Sequence, residues 1–180
     1  MTLSIEAKAA RIRLLLFDVD GVLTDGRVVV HADAAESKSF GIRDGIAIVW
    51  AQRAGLQVGF LSARTSATTP HRAAQLGVTI VQQGVLKKLD GYERIVADAN
   101  VRDEEVAYMG DDIVDLSVLA RVGLSAAPAD AVAEVRSSVD WVSHAKGGRG
   151  AVRELIETVL RAQDRWDAIV GSYAGEVRGA

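Results

Sequence analysis

Cysteine is absent from this 180-residue chain, and proline stands only at positions 70 and 128. Without thiols there are no disulfides, no thiolate metal sites and no cysteine nucleophile, and a reducing compartment suits the composition. So few prolines leave no Pro-rich linker, and neither an internal repeat nor a low-complexity tract is present. No window reaches the roughly 18 apolar residues of a membrane helix, and the start MTLSIEAKAARIR has no apolar signal-peptide core. A cationic excess is also lacking. Lys and Arg number 21 against 24 Asp and Glu, a net charge of -3, which offers no broad surface to a polyanion such as nucleic acid. A soluble, cytoplasmic protein with no nucleic-acid or membrane partner is the expectation; a small anionic substrate needs only a few local cations.

What is present is a globular composition, 49 % hydrophobic and 25 % charged. The length suits one well-cored domain spanning 1–180 and is too short for two. Short apolar runs recur at RLLLFDV, LQVGFLS, VTIVQ, EVAYMGD, VGLSAA and VDWVS, with amphipathic segments between most of them. Such alternation predicts an α/β fold, a doubly wound, Rossmann-like parallel sheet with helices on both faces. Helices are predicted over 43–54, 67–76, 89–100, 114–121 and 131–137. A longer one is predicted over about 150–170, where Val152, Leu155, Ile156, Val159 and Leu160 form one apolar stripe. Between the first strand and the first of these helices, GRVVVHADAAESKSFGI has no helical period and reads as a projecting hairpin at about 27–40. The ending, about 171–180, is small and polar and is predicted to be mobile.

Ligands of an open parallel sheet bind beyond the carboxyl ends of its strands. The first strand ends in Asp18 and Asp20, the second in Ser62 followed by Arg64, and the VAYMG strand in Asp111 and Asp112, with Asp115 one turn on. Lys87 and Lys88 open the helix after VTIVQQG. Bunched carboxylates repel unless a cation sits among them, and an all-oxygen set suits Mg²⁺ with a phosphate as further ligand. Each part of phosphate-ester hydrolysis then has a candidate. Asp18 is the nucleophile, and Asp20 is the acid for the leaving alcohol and the base for water. Ser62 and one of the two lysines hold phosphoryl oxygens, and Asp111 is the second metal carboxylate. Asp112 and Asp115 are supporting residues, orienting the metal waters or the lysine, or capping a helix.

The order of DVDGVLTDG, FLSAR, QQGVLKKL and MGDDIVD resembles the haloacid dehalogenase superfamily of aspartate-nucleophile phosphatases. DGVLTDGRVVV, KSFGIRDGIAI, QLGVTIVQQGVLKKL and GGRGAVRELIE are further similar to its cap-less subfamily acting on 3-deoxy-D-manno-octulosonate 8-phosphate, across roughly 12–166. That resemblance implies Mg²⁺-dependent removal of phosphate from an eight-carbon keto-sugar acid on the way to lipopolysaccharide, through an aspartyl-phosphate. It implies a metal shell of Asp18, the backbone carbonyl of Asp20 and Asp111, selects Lys88 over Lys87, and implies a homotetramer associating through the hairpins. Ala63 stands where the family has glycine.

Arg43, Arg64 and Arg149 are the candidates for substrate carboxylate and hydroxyls, because the guanidinium fork matches a carboxylate. His31, His71 and His144 share no metal-ligand spacing and are read as surface or structural. Two competing readings stand beside the eight-carbon one: a phosphatase for nine-carbon keto-sugar acids, and a receiver-like phosphorylatable signalling module. A receiver carries its acceptor aspartate at the end of the third strand, and VTIVQQG has none there.

Overall fold

In the computed structural model, which describes residues 3–176, the first strand decides the layering. Strand β1 (Leu14–Phe17) is apolar and wholly buried. Side chains alternate across a strand, so Leu15 and Phe17 enter one core and Leu14 and Leu16 the other. A strand buried on both sides needs helices above and below, and the helices that follow each strand provide them.

The sheet contains β1, β4 (Gln57–Leu61), β5 (Ile80–Gln82), β6 (Val106–Met109), β7 (Leu124–Ala127) and β8 (Trp141–Val142) in the order β5-β4-β1-β6-β7-β8, and every pair is parallel. Phe17 lies opposite Phe60 and Met109, so β1, β4 and β6 end level with one another. Order reverses at β1, the point where an open sheet forms its ligand crevice. One face carries α1 (Ile5–Ala9), α2 (Ile42–Arg53), α3 (Thr68–Leu76) and α7 (Ala151–Ala162); the other carries α4 (Lys88–Ala99), α5 (Leu116–Leu119) and α6 (Ala133–Arg136). Val152, Leu155, Ile156, Val159 and Leu160 of α7 are all fully buried, each contributing about 1.5–3 kcal/mol of apolar burial.

The stretch predicted as one helix over 150–170 is two. Asp164 adopts φ 55°, which no α-helix continues through, and α8 (Trp166–Glu176) starts beyond it. Trp166 and Tyr173 of α8 pack edge-on against Trp50, whose Nε1 donates to Tyr173 Oη at 3.1 Å. Of the ending predicted to be mobile, about 171–180, the part up to Glu176 belongs to α8, and residues 177–180 lie outside the described residues. The helices predicted over 114–121 and 131–137 shorten to α5 and α6.

Between β1 and α2 stands the hairpin. Val29–Val30 (β2) pairs antiparallel with Glu36–Ser37 (β3), Val29 opposite Ser37. Within the hairpin expected at about 27–40, the second strand stops at Ser37, because Lys38 turns its ammonium inward and Phe40 packs on the main core.

Candidate active site

The carboxylate of Asp18 sits where β1 ends, held by its own N–H donating to Met109 O at 3.0 Å, and the residue is only 6 % exposed. Val19 behind it is fully buried, which leaves Asp18 facing the crevice. The chain then turns through Gly21 at φ 92°, a left-handed conformation natural to glycine. Thr24 ties this turn together: its buried Oγ1 accepts from Gly21 N and Gly26 N and donates to Val19 O. A second glycine segment braces it from outside, with Gly148 N donating to Val22 O at 2.8 Å.

Lys88 crosses from α4 to meet these acids. Its Nζ lies 2.8 Å from Asp18 Oδ1 and 2.5 Å from Asp115 Oδ1, with 1 % of the side chain exposed. Burial disfavours its charge, but the two carboxylates together outweigh that and hold its pKa above the ordinary value. Lys87, one residue earlier, is exposed.

Asp115 is fully buried and fully engaged. Its Oδ1 accepts from Lys88 and Tyr108, its Oδ2 from the backbone N–H groups of Asp111 and Asp112. It therefore shapes the loop and orients the lysine. Asp112 is exposed and caps the turn with a 2.7 Å bond from Ile113 N. Asp111 differs from both: its Oδ1 is buried with no hydrogen-bond partner.

Carboxylate oxygens of Asp18, Asp111 and Asp115 approach within 4.8 Å of one another. The hydrogen bonds on Asp115 occupy both its oxygens, so Asp18 and Asp111 are the pair with capacity for a cation. Burial, then the neighbouring Asp18 and Asp115, push Asp111 up to about 8. Burial likewise pushes Asp18 up to about 6 despite Lys88. Such acids are poised for a hard divalent ion that takes oxygen ligands and relieves their repulsion.

Asp18, Asp20, Ser62, Ala63, Arg64, Lys88, Asp111 and Asp112 share one cleft of about 300 Å³. Ser62 lies at the end of β4, 2 % exposed, its Oγ accepting from Arg64 N at 3.2 Å. A larger hollow of about 440 Å³ between α2 and α8 brings no comparable set of acids together. Two of the sequence-selected arginines are not in the cleft. Arg43 and Arg149 stand at the starts of α2 and α7, which pack on each other, and line a separate hollow with Arg153 and Glu157. Arg64 does reach the cleft, where its guanidinium pairs with Glu36 of β3 at 2.8 Å.

Residues 61–155 match the model of the haloacid dehalogenase-like hydrolase family. The chain is 40 % identical over 164 residues to the 3-deoxy-D-manno-octulosonate 8-phosphate phosphatase of Yersinia pestis, covering 91 % of this chain and 88 % of that one. The chain belongs to the haloacid dehalogenase-like hydrolases, among these phosphatases. As such it is a phosphoric monoester hydrolase. The phosphatase of Moraxella catarrhalis, solved in complex with magnesium, phosphate and 3-deoxy-D-manno-octulosonate, superposes on this hydrolase with a TM-score of 0.92 at 31 % identity, covering 94 % of this chain and 97 % of that one. The cobalt-bound Haemophilus influenzae enzyme gives 0.86 at 40 % identity, covering 88 % and 93 %.

Three contacts of this hydrolase escape a reading by motif. Lys38 grips Asp20 from the hairpin, Tyr108 donates to Asp115 from β6, and Glu36 pairs with Arg64. Only Tyr108 carries a local signal: as a lone hydroxyl in the apolar run VAYM of β6, it requires a buried partner.

Proposed function

We propose that this chain is a one-domain, Mg²⁺-dependent phosphomonoesterase that hydrolyses 3-deoxy-D-manno-octulosonate 8-phosphate in lipopolysaccharide precursor synthesis, in the cytoplasm. The observation that carries the reading is the pairing of buried Asp18 with Lys88 opposite the unpartnered Oδ1 of Asp111. The likeness to phosphatases of that substrate names the ester.

Asp18, the Asp20 carbonyl and Asp111 are the residues that would hold Mg²⁺, which when bound screens the acids and polarises the phosphoryl group. Gly21 makes room for the set, since a Cβ there would stand 2.0 Å from Asp111 Oδ2. Ser62 and Lys88 hold the phosphoryl oxygens beside Asp18. A carboxylate oxygen of Asp18 attacks phosphorus while the bond from phosphorus to the ester oxygen breaks. Both electrons stay on that oxygen, which takes a proton from Asp20 and departs as the alcohol. Water then attacks the aspartyl-phosphate, giving its proton to Asp20 and returning Asp18 as carboxylate with free phosphate. Arg64, which lines the cleft, is the candidate for the substrate carboxylate, for which it would have to give up its pairing with Glu36.

The hairpin exposes Val29 and Val30 at 57 % and 69 %. Exposed apolar side chains on a short two-stranded ribbon favour association, and we read them as the contact of a homotetramer.

Phosphate release from eight- and nine-carbon keto-sugar acid phosphates and common sugar phosphates, with Mg²⁺ and with chelator, tests the activity. Preference for the eight-carbon ester, abolished by chelator, is the expected result. Turnover of the nine-carbon esters alone would reassign the substrate, and none at all would sink the enzyme reading. A mass near 19 kDa in solution would count against the tetramer.

A further inference from the structure

Lys38 follows the hairpin's second strand directly and carries its ammonium into the protein. Its Nζ stands 2.7 Å from Asp20 Oδ1 and donates to Oδ2 at 2.9 Å, with 1 % of the lysine side chain exposed. A lysine side chain so buried needs a hydrogen-bonding partner, and the Asp20 carboxyl is that partner. The dependence runs the other way too: among the described residues, Lys38 supplies the only hydrogen bond to the Asp20 carboxylate. Asp20 stands next to Gly21 in a tight turn, where the backbone alone does not choose the direction of its carboxylate. The two buried lysines thus divide the acids between them. Lys88 serves Asp18 and Asp115, while Lys38 serves Asp20. Two residues before Lys38, Glu36 binds Arg64 in the loop after β4. The hairpin's return limb is therefore tied to two of the three strand-end loops that form the cleft, those after β1 and β4.

We propose that Lys38 is a positioning residue for leaving-group protonation, holding the Asp20 carboxyl at the cleft wall where the ester oxygen departs. The inference rests on the phosphatase reading above and gives the hairpin a part in the chemistry of its own subunit. An alkyl leaving oxygen departs as the alcohol and needs the proton of Asp20; an aryl oxygen is stable as its anion and does not. Because kcat/KM covers the steps up to departure of the leaving group, the ratio of the two esters isolates this role from general damage to the site.

The test compares wild type, Lys38→Met, Lys38→Arg and Asp20→Asn on 3-deoxy-D-manno-octulosonate 8-phosphate and on p-nitrophenyl phosphate. Lys38→Met is expected to lose at least about tenfold in kcat/KM on the alkyl ester and less than about threefold on the aryl ester, with Asp20→Asn showing the same asymmetry more strongly. Lys38→Arg keeps a charged donor and is expected to recover most of the alkyl-ester rate. Equal losses on both esters, which general misfolding would also produce, overturn the inference, as does an alkyl-ester rate unchanged or raised in Lys38→Met. Wild-type enzyme inactive on both esters would overturn the phosphatase reading and this inference with it.

Discussion

Lys88 Nζ lies 2.8 Å from Asp18 Oδ1, and neither side chain is more than 9 % exposed. In the mechanism proposed above, the buried lysine offsets the charge of Asp18 at rest and turns a donor to the incoming phosphoryl oxygen. Asp115, also paired with the ammonium, helps keep it charged and in place. The site is a chain of mutually dependent charges, and each link has a measurable consequence.

If Asp18 is the nucleophile, Asp18→Asn removes the attacking oxygen and should lower kcat by at least about a thousandfold, because the nearby Asp115 and Asp20 carboxylates are already engaged, by Lys88 and Tyr108 and by Lys38. Steady-state phosphate release checks this; near-normal turnover would place the chemistry elsewhere.

Lys88→Met should cost both activity and stability. It leaves Asp18 and Asp115 buried without their cation, a loss of about 3–5 kcal/mol in comparable buried pairs. A denaturant midpoint equal to wild type would show that the lysine is catalytic only.

Folded-state pKa values raised above the unfolded ones, to about 6 for Asp18 and about 8 for Asp111, give the metal-free protein a definite pH slope. The folded state holds protons that the unfolded chain has released, so this contribution to stability is present below the ordinary aspartate pKa near 3.8 and is lost as pH rises through about 6 and about 8. Mg²⁺ binds the ionised pair, and its stabilisation should grow over the same range. Thermal melts at a series of pH values with chelator and with Mg²⁺ check both slopes; a Mg²⁺ shift that shrinks toward pH 8 would contradict the assignment of Asp111 as ligand.

The parts of this site legible in the sequence are those set by strand ends. The run Leu14–Phe17 announces a buried strand, and Asp18, Ser62 and Asp111 follow apolar runs closely enough for the topology to deliver them to one crevice. Lys38 was not legible because its contact with Asp20 spans 18 residues and depends on how the hairpin folds back. Arg43 and Arg149 were selected by residue type alone, and in this subunit they line a hollow separate from the cleft, beside Arg153 and Glu157. The single long helix predicted over 150–170 failed at Asp164, since Trp166 and Ile169 keep apolar spacing across the break and only the backbone reveals it.

Gly21→Ala probes the close approach of the two acidic loops. Glycine stands there at φ 92°, and an added Cβ would lie 2.0 Å from Asp111 Oδ2 and 2.5 Å from its Cγ. Two costs combine: the left-handed backbone, about 1 kcal/mol or more for a residue with a side chain, and the overlap, which Asp111 relieves only by swinging away. Asp111 is the carboxylate with the unpartnered oxygen, so its displacement should weaken Mg²⁺ binding more than it weakens the fold. The expected result is a Mg²⁺ requirement raised at least about tenfold, alongside a melting temperature lowered by a few degrees with chelator present. A variant with wild-type Mg²⁺ dependence would mean that Asp111 binds metal from another rotamer, or not at all. A variant destabilised in chelator but normal in Mg²⁺ dependence would reduce Gly21 to a turn residue and remove steric access as the reason for glycine at this position.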